Sequence, residues 1–151
     1  LTDFSGNKLK SSSHPVTVGA AASQRALRYG VRDYLDGTDP GNAVLVCEFR
    51  SDKTAYRALQ YFETMKNAAL PAAAVRIRDA ATCRITVSSD KLAKNLTLRY
   101  KGTAGIFSDN YFDLLPGESR SVTLTAPEDA AEILRHIECM ALNPQITIIK
   151  P

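Results

Sequence analysis

The sequence predicts an all-β protein, one complete two-layer sandwich preceded by part of a second, and three observations predict it. Turn chemistry recurs at short intervals, at Ser5-Gly6-Asn7, His14-Pro15, Asp36-Gly37 through Pro40-Gly41, Leu70-Pro71, Lys101-Gly102, Pro116-Gly117 and Asn143-Pro144. Between these turns apolar residues alternate with polar ones, the period that lines one face of a strand. The stretch 106–125 then joins an aromatic, acid-punctuated loop to a tight turn and an alternating strand.

Taken in order, residues 1–70 supply about four strands. The first lies within Leu1 to Asn7, and Val16 and Val18 alternate around Thr17. Asn42 to Phe49 is nearly continuous in apolar character, which suits a strand covered on both faces. Ser23 to Leu35 is rich in helix formers, and Lys53 to Asn67 sets Tyr56, Leu59, Phe62 and Met65 or Lys66 at helical spacing, so propensity alone reads both as helices. Leu70-Pro71 and the alanines after it interrupt the pattern and mark the boundary between a partial first domain, 1–70, and a second, 71–151.

From Val75 onward the alternation is clear. Strands are expected near Ala74 to Arg78, Cys83 to Ser88, Asn95 to Tyr100, Tyr111 to Leu114, Ser119 to Thr125, His136 to Leu142 and Ile146 to Ile149. Seven strands make a complete immunoglobulin-like β-sandwich. Pro127-Glu128-Asp129 suits a first helical turn, so a short helix over Ala126 to Arg135 precedes the strand at His136. Leu115-Pro116-Gly117-Glu118 puts proline where φ near −65° is wanted and glycine where φ must be positive, the requirements of a type II turn. Ile85, Val87, Leu96, Leu98, Val122 and Leu124 should point into one core.

Composition narrows the function classes. The chain is 44% hydrophobic and 23% charged, close to the average for folded domains, so a packed core is expected. Its net charge of +3 is spread evenly, with nine basic and seven acidic side chains in 1–70 and ten and nine in 71–151. Nucleic-acid binding needs lysine and arginine concentrated on one surface, and no such block exists. No apolar run approaches the ~18 residues of a membrane span, and the N-terminus lacks the charged, apolar and small-residue order of a signal peptide. Neither nucleic acid nor a membrane is an expected partner; a periplasmic or extracellular setting is expected over a cytoplasmic one.

Catalytic and metal-binding patterns are thin. Cys47, Cys83 and Cys139 include no C-x-x-C pair, and only His14 and His136 could assist them around zinc. Cys83 shares strand parity with Ile85, and Cys139 with Ile137, which leaves two readings open: a bridge between Cys83 and Cys139, or buried free thiols acting as small hydrophobes, the one the sequence favours. Ser23, Ser51 and Ser88 lack a G-x-S-x-G context, His136 reads as a solvent-facing strand residue, and no glycine-rich phosphate loop is present. No catalytic residue, cofactor or metal site is expected.

The run Ser108-Asp109-Asn110-Tyr111-Phe112-Asp113-Leu114-Leu115-Pro116-Gly117-Glu118 resembles a signature of the last immunoglobulin-like domain of β-mannosidases in glycoside hydrolase family two. Leu59-Gln60-Tyr61-Phe62, then Ala69-Leu70-Pro71, then Ile85 through Leu96 resemble the same family in the same order. The resemblance implies strands at Ala26 to Val31 and Tyr56 to Phe62, where tertiary pairing would override helix propensity. It also implies that 1–70 is the C-terminal part of a preceding sandwich and 71–151 the complete last domain. The parent would hydrolyse terminal β-linked mannose with retention, using two glutamates of a catalytic barrel, and barrels of that type run to about 250 residues. This chain would then be inactive alone and act as a scaffold, its partners the barrel or a second copy covering the incomplete sandwich.

The alternative is a carbohydrate-binding module for mannan or a related glycan. Phe107, Tyr111 and Phe112 are the rings a sugar platform would use, and Asn110 and Tyr111 are the candidate contacts. In the structural reading of the same loop, Phe107 and Phe112 enter the core, Tyr111 anchors the loop through its hydroxyl, and Asp109 and Asp113 cap backbone amides.

Overall fold

The computed structural model describes residues 1–52, 54–79, 83–127 and 130–151. The chain divides into two compact units, one of Leu1–Asp3 with Asn7–Ala69 and one of Phe4–Gly6 with Leu70–Pro151.

In the first unit, β1 (Thr2–Asp3), β2 (Ala43–Arg50) and β3 (Ala55–Tyr61) form an antiparallel sheet in that order. β2 pairs with β3 from Val44 opposite Tyr61 to Arg50 opposite Ala55, so the helical spacing around Tyr56 yields to cross-strand pairing. β1 covers only Ala43 and Val44 of the other edge of β2. A small core joins Leu1, Leu35 and Ala43 to Tyr34, Leu45 and Phe62.

Three expectations for this unit are corrected. Residues 42–49 are not covered on both faces: Ala43 and Val44 are buried, but farther along β2 Phe49 is 50% exposed and Tyr56 opposite it 65%. The alternation at Val16 and Val18 makes no strand, and residues 11–30 run almost wholly exposed without a ladder partner. Ala26 to Val31 is likewise not a strand; α1 (Val31–Leu35) starts there. A strand needs an edge to pair with, and without one local preference decides. Asp33 sits favourably in the first turn of α1, and left-handed Asp36 closes it by donating its N–H to the Arg32 carbonyl.

The second unit contains β4 (Ala73–Asp79), β5 (Arg84–Ser89), β6 (Ala93–Tyr100), β7 (Ile106–Phe107), β8 (Phe112–Leu114), β9 (Ser119–Thr125), α2 (Ala130–His136), β10 (Ile137–Met140) and β11 (Ile146–Ile149). One sheet has the order β11-β4-β5-β9-β7 and the other β10-β6-β8, an immunoglobulin-like sandwich. All pairings are antiparallel except β11 with β4. Ile85, Val87, Leu96, Leu98, Val122 and Leu124 all lie in the core between the sheets, as their alternation requires. Val75, Ile77, Phe112, Leu114, Ile133, Ile137 and Cys139 complete it. Burial of each large aliphatic side chain contributes roughly 1.5–3 kcal/mol against leaving it in water.

The second unit differs from expectation in detail. An eighth strand, β7, pairs with the end of β9. The helix runs to His136, one residue later than expected, and Glu128 and Asp129 of its expected first turn lie outside the described residues. β10 stops at Met140, opposite Thr97; beyond it Leu142 N–H still donates to the Lys94 carbonyl at 2.9 Å, past the bulge that β6 makes against β8 between Ala93 and Leu96, where Asn95 is left-handed. Cys83 is not a strand residue but a left-handed turn residue before β5, half-buried against the core. All three thiols are free, so the bridge between Cys83 and Cys139 is not formed; Cys47 is exposed, and burial pushes the Cys139 thiol up to about 12. Among the described residues no helix is long and apolar enough to cross a membrane.

Candidate functional site

The stretch from β7 through β8 to β9 is held by its own polar side chains. Asn110 presents its amide to the backbone of Leu98: Leu98 N–H donates to Oδ1 at 2.8 Å, and Nδ2 donates to the Leu98 carbonyl at 2.9 Å. The side chain thus continues the ladder of β6 just beyond the last pairing with β8 at Leu96 and Phe112. Tyr111 N–H also donates to Asn110 Oδ1, at 3.1 Å, and Tyr111 itself adopts φ 58°. That left-handed step sends Phe112 into the core and turns the Tyr111 ring out, 73% exposed.

Every acid of the loop has a partner. Asp109 pairs with Arg120 at 2.5 Å and accepts from Asn110 N–H at 2.9 Å, and the Arg120 guanidinium also lies 4.6 Å from the centre of the Phe112 ring. Both oxygens of Asp113 accept from Lys94 Nζ at 2.9 Å, and one also takes the Asn95 N–H at 2.9 Å. Asp113 therefore closes the bulge of β6. Glu118 accepts from Leu115 N–H at 3.2 Å, inside a turn where Glu118 N–H donates to the Leu115 carbonyl and Gly117 takes φ 76°. The type II turn read from Pro116 and Gly117 is formed, and Gly117 N–H ties it to Ser89.

The two sugar-contact candidates thus separate. The Asn110 amide is engaged by the backbone, while Tyr111 leaves a ring and a hydroxyl on open surface. Tyr111 does not anchor the loop as expected; Asn110 does. Phe112 is buried and Phe107 half-buried against the core. His136 is not a solvent-facing strand residue: it closes α2, half-buried, with its ring edge-on to Tyr100.

Sequence reasoning missed Asn143. It is buried, accepts from Lys94 N–H at 2.9 Å, and donates to the carbonyls of Pro71 and Leu92 at 2.7 Å each. Asn143-Pro144 reads as turn chemistry alone, and nothing local tells which distant carbonyls the amide will meet.

Fold and loop together define an immunoglobulin-like sandwich module whose exposed feature is an aromatic loop. A family model described as an Ig-fold domain, that of the mannosidases, matches residues 66–144, and one described as a mannosidase Ig/CBM-like domain matches 1–67. The chain belongs to the immunoglobulin-like domains of glycoside hydrolase family two mannosidases. A solved β-D-mannosidase from Dictyoglomus thermophilum is similar in fold, with a TM-score of 0.73 at 16% identity over 98% of this chain. The chain spans 18% of that enzyme's length. No curated protein sequence matches.

Proposed function

We propose that this chain is a non-catalytic accessory region of a β-mannosidase-like retaining glycoside hydrolase, residues 1–70 ending one immunoglobulin-like domain and 71–151 forming the last. Its role is to support the catalytic barrel or an oligomer contact. The observation that carries this is the bare sheet of the first unit. Beyond Val44 the outer edge of β2 has no strand beside it among the described residues, and Phe49 and Tyr56 face water. A sandwich leaves such a surface only where something else covers it, and the remainder of the parent enzyme, or a second copy, is the cover.

The test is made in the parent enzyme. Phe49→Asp and Tyr56→Asp should lower the thermal midpoint of β-mannosidase activity or dissociate an oligomer, leaving KM for a β-mannoside unchanged in the surviving enzyme. The chain alone should not hydrolyse aryl β-mannosides. Wild-type stability and assembly in both variants would remove the scaffold reading.

The second reading, a carbohydrate-binding module for mannan or a related glycan, is favoured by Tyr111, an exposed ring held in a left-handed backbone that costs about 1–3 kcal/mol to maintain. Saturable binding of manno-oligosaccharides by calorimetry, lost in Tyr111→Ala, would establish it in place of the first.

A further inference from the structure

On the second unit a hollow of about 490 Å³ is lined by Lys101, Arg135, His136, Ile137, Glu138, Ile148 and Lys150, none of them from the Tyr111 loop. Three elements build it: the end of α2 gives Arg135 and His136, the start of β10 gives Ile137 and Glu138, and the end of β11 gives Ile148 with Lys150 beyond it. Lys101 follows β6 and is fixed by its N–H donating to the His136 carbonyl at 2.9 Å. Three permanent cations therefore meet one lining carboxylate, Glu138, and a second, Glu132, which lies beside Arg135 and His136 at 3.3 and 3.4 Å.

We propose that this hollow is an oxyanion-binding site, taking the carboxylate of an acidic sugar or a phosphate group. Donor arithmetic leaves room for such a guest. Lys150 places one N–H on the Ile137 carbonyl at 2.5 Å, Lys101 one on Glu138 at 2.5 Å, and Arg135 one on Glu132 at 3.3 Å. An ammonium has three donors and a guanidinium five, so each cation keeps at least two. The Ile137 contact also holds the Lys150 ammonium in place, and pre-organised donors bind anions better than free ones.

Glu138 already reports the local field. Its carboxyl is held below the usual range, chiefly by the hydrogen bond from Lys101; desolvation opposes this, and the charges of Lys101, Arg99 and Lys150 each add a smaller pull downward. A carboxylate is the favoured state of an acid at this place.

The experiment is an amide NMR titration of the full chain with sodium phosphate and, separately, sodium glucuronate, at constant ionic strength set with chloride. Saturable shifts confined to Lys101, Arg135 to Glu138 and Ile148 to Lys150 are expected, complete by about 50 mM for a millimolar site. Lys150→Ala and Arg135→Gln should each weaken the binding about ten-fold, the loss of one charged hydrogen bond. Arg135 is 77% exposed at its side chain, so its variant keeps the fold if Lys150→Ala does not. Saturation by phosphate alone assigns a phosphoryl ligand and by glucuronate alone an acidic sugar; saturation by both assigns oxyanions in general. Shifts that stay linear, that chloride reproduces, or that survive both substitutions overturn the proposal.

Discussion

Asn110 and Asn143 each tie together backbone segments of the second unit that the apolar pattern does not show to be neighbours. Each satisfies backbone groups far away in sequence, Asn110 at Leu98 and Asn143 at Pro71, Leu92 and Lys94. Replacing either by alanine leaves backbone donors and acceptors unmet in the interior, a cost of about 1–3 kcal/mol for each stranded group. Chemical denaturation of Asn143→Ala should therefore show a loss of at least about 2 kcal/mol, more than Asn110→Ala. Tyr111→Gly should run the other way: relieving the left-handed strain stabilises by up to about 1 kcal/mol once the added chain entropy of glycine is offset. A Tyr111→Gly chain less stable than wild type would show that the ring packs on something. At this scale the aromatic loop was legible, because Phe112 and Gly117 each have one conformational solution. The amide partners were not, since a side-chain hydrogen bond across fifty residues leaves no periodic trace.

At the scale of elements, alternation placed β4, β5, β6 and β9 to within a residue or two, because each has a largely apolar inner face, Ser89 at the end of β5 being the buried polar exception. Where pairing partners were sparse the pattern failed. Val16-Thr17-Val18 has the right period and no neighbour, and Ala26 to Val31 gave way to α1. The bulge of β6 shows what irregularity costs. Lys94 and Asp113 are both largely buried and bonded through both carboxylate oxygens, so removing one charge strands the other. Asp113→Asn should destabilise by about 3 kcal/mol, read as a shift in denaturation midpoint at unchanged slope. Asp113→Leu paired with Lys94→Met should recover much of that loss, since an apolar pair of similar volume avoids the desolvation of both ions.

At the scale of the whole molecule the cysteines give a pH signature. Cys139 titrates near 9 in an unfolded chain and at about 12 when buried, so its contribution is fully present below pH 9 and fades as pH rises toward 12. Alkylation at pH 8 should modify exposed Cys47 first and spare Cys139 until the chain unfolds; equal rates at both would contradict the fold. The two-layer architecture of residues 70–151 was legible from turns and period alone. The first unit was not, because a sheet with one face bare carries apolar residues on its surface, and a sequence cannot say which apolar residues meet water.

The parallel pairing of β11 with β4, Ile146 opposite Ala73 through Ile149 opposite Arg76, joins the last strand of the second unit to its first. Tension applied to the two ends of that unit pulls β4 and β11 in opposite directions along their length. All the rungs between them must then shear at once rather than unzip one by one. Such a geometry resists extension between the two ends of the unit more than an unzipping arrangement of the same rungs would.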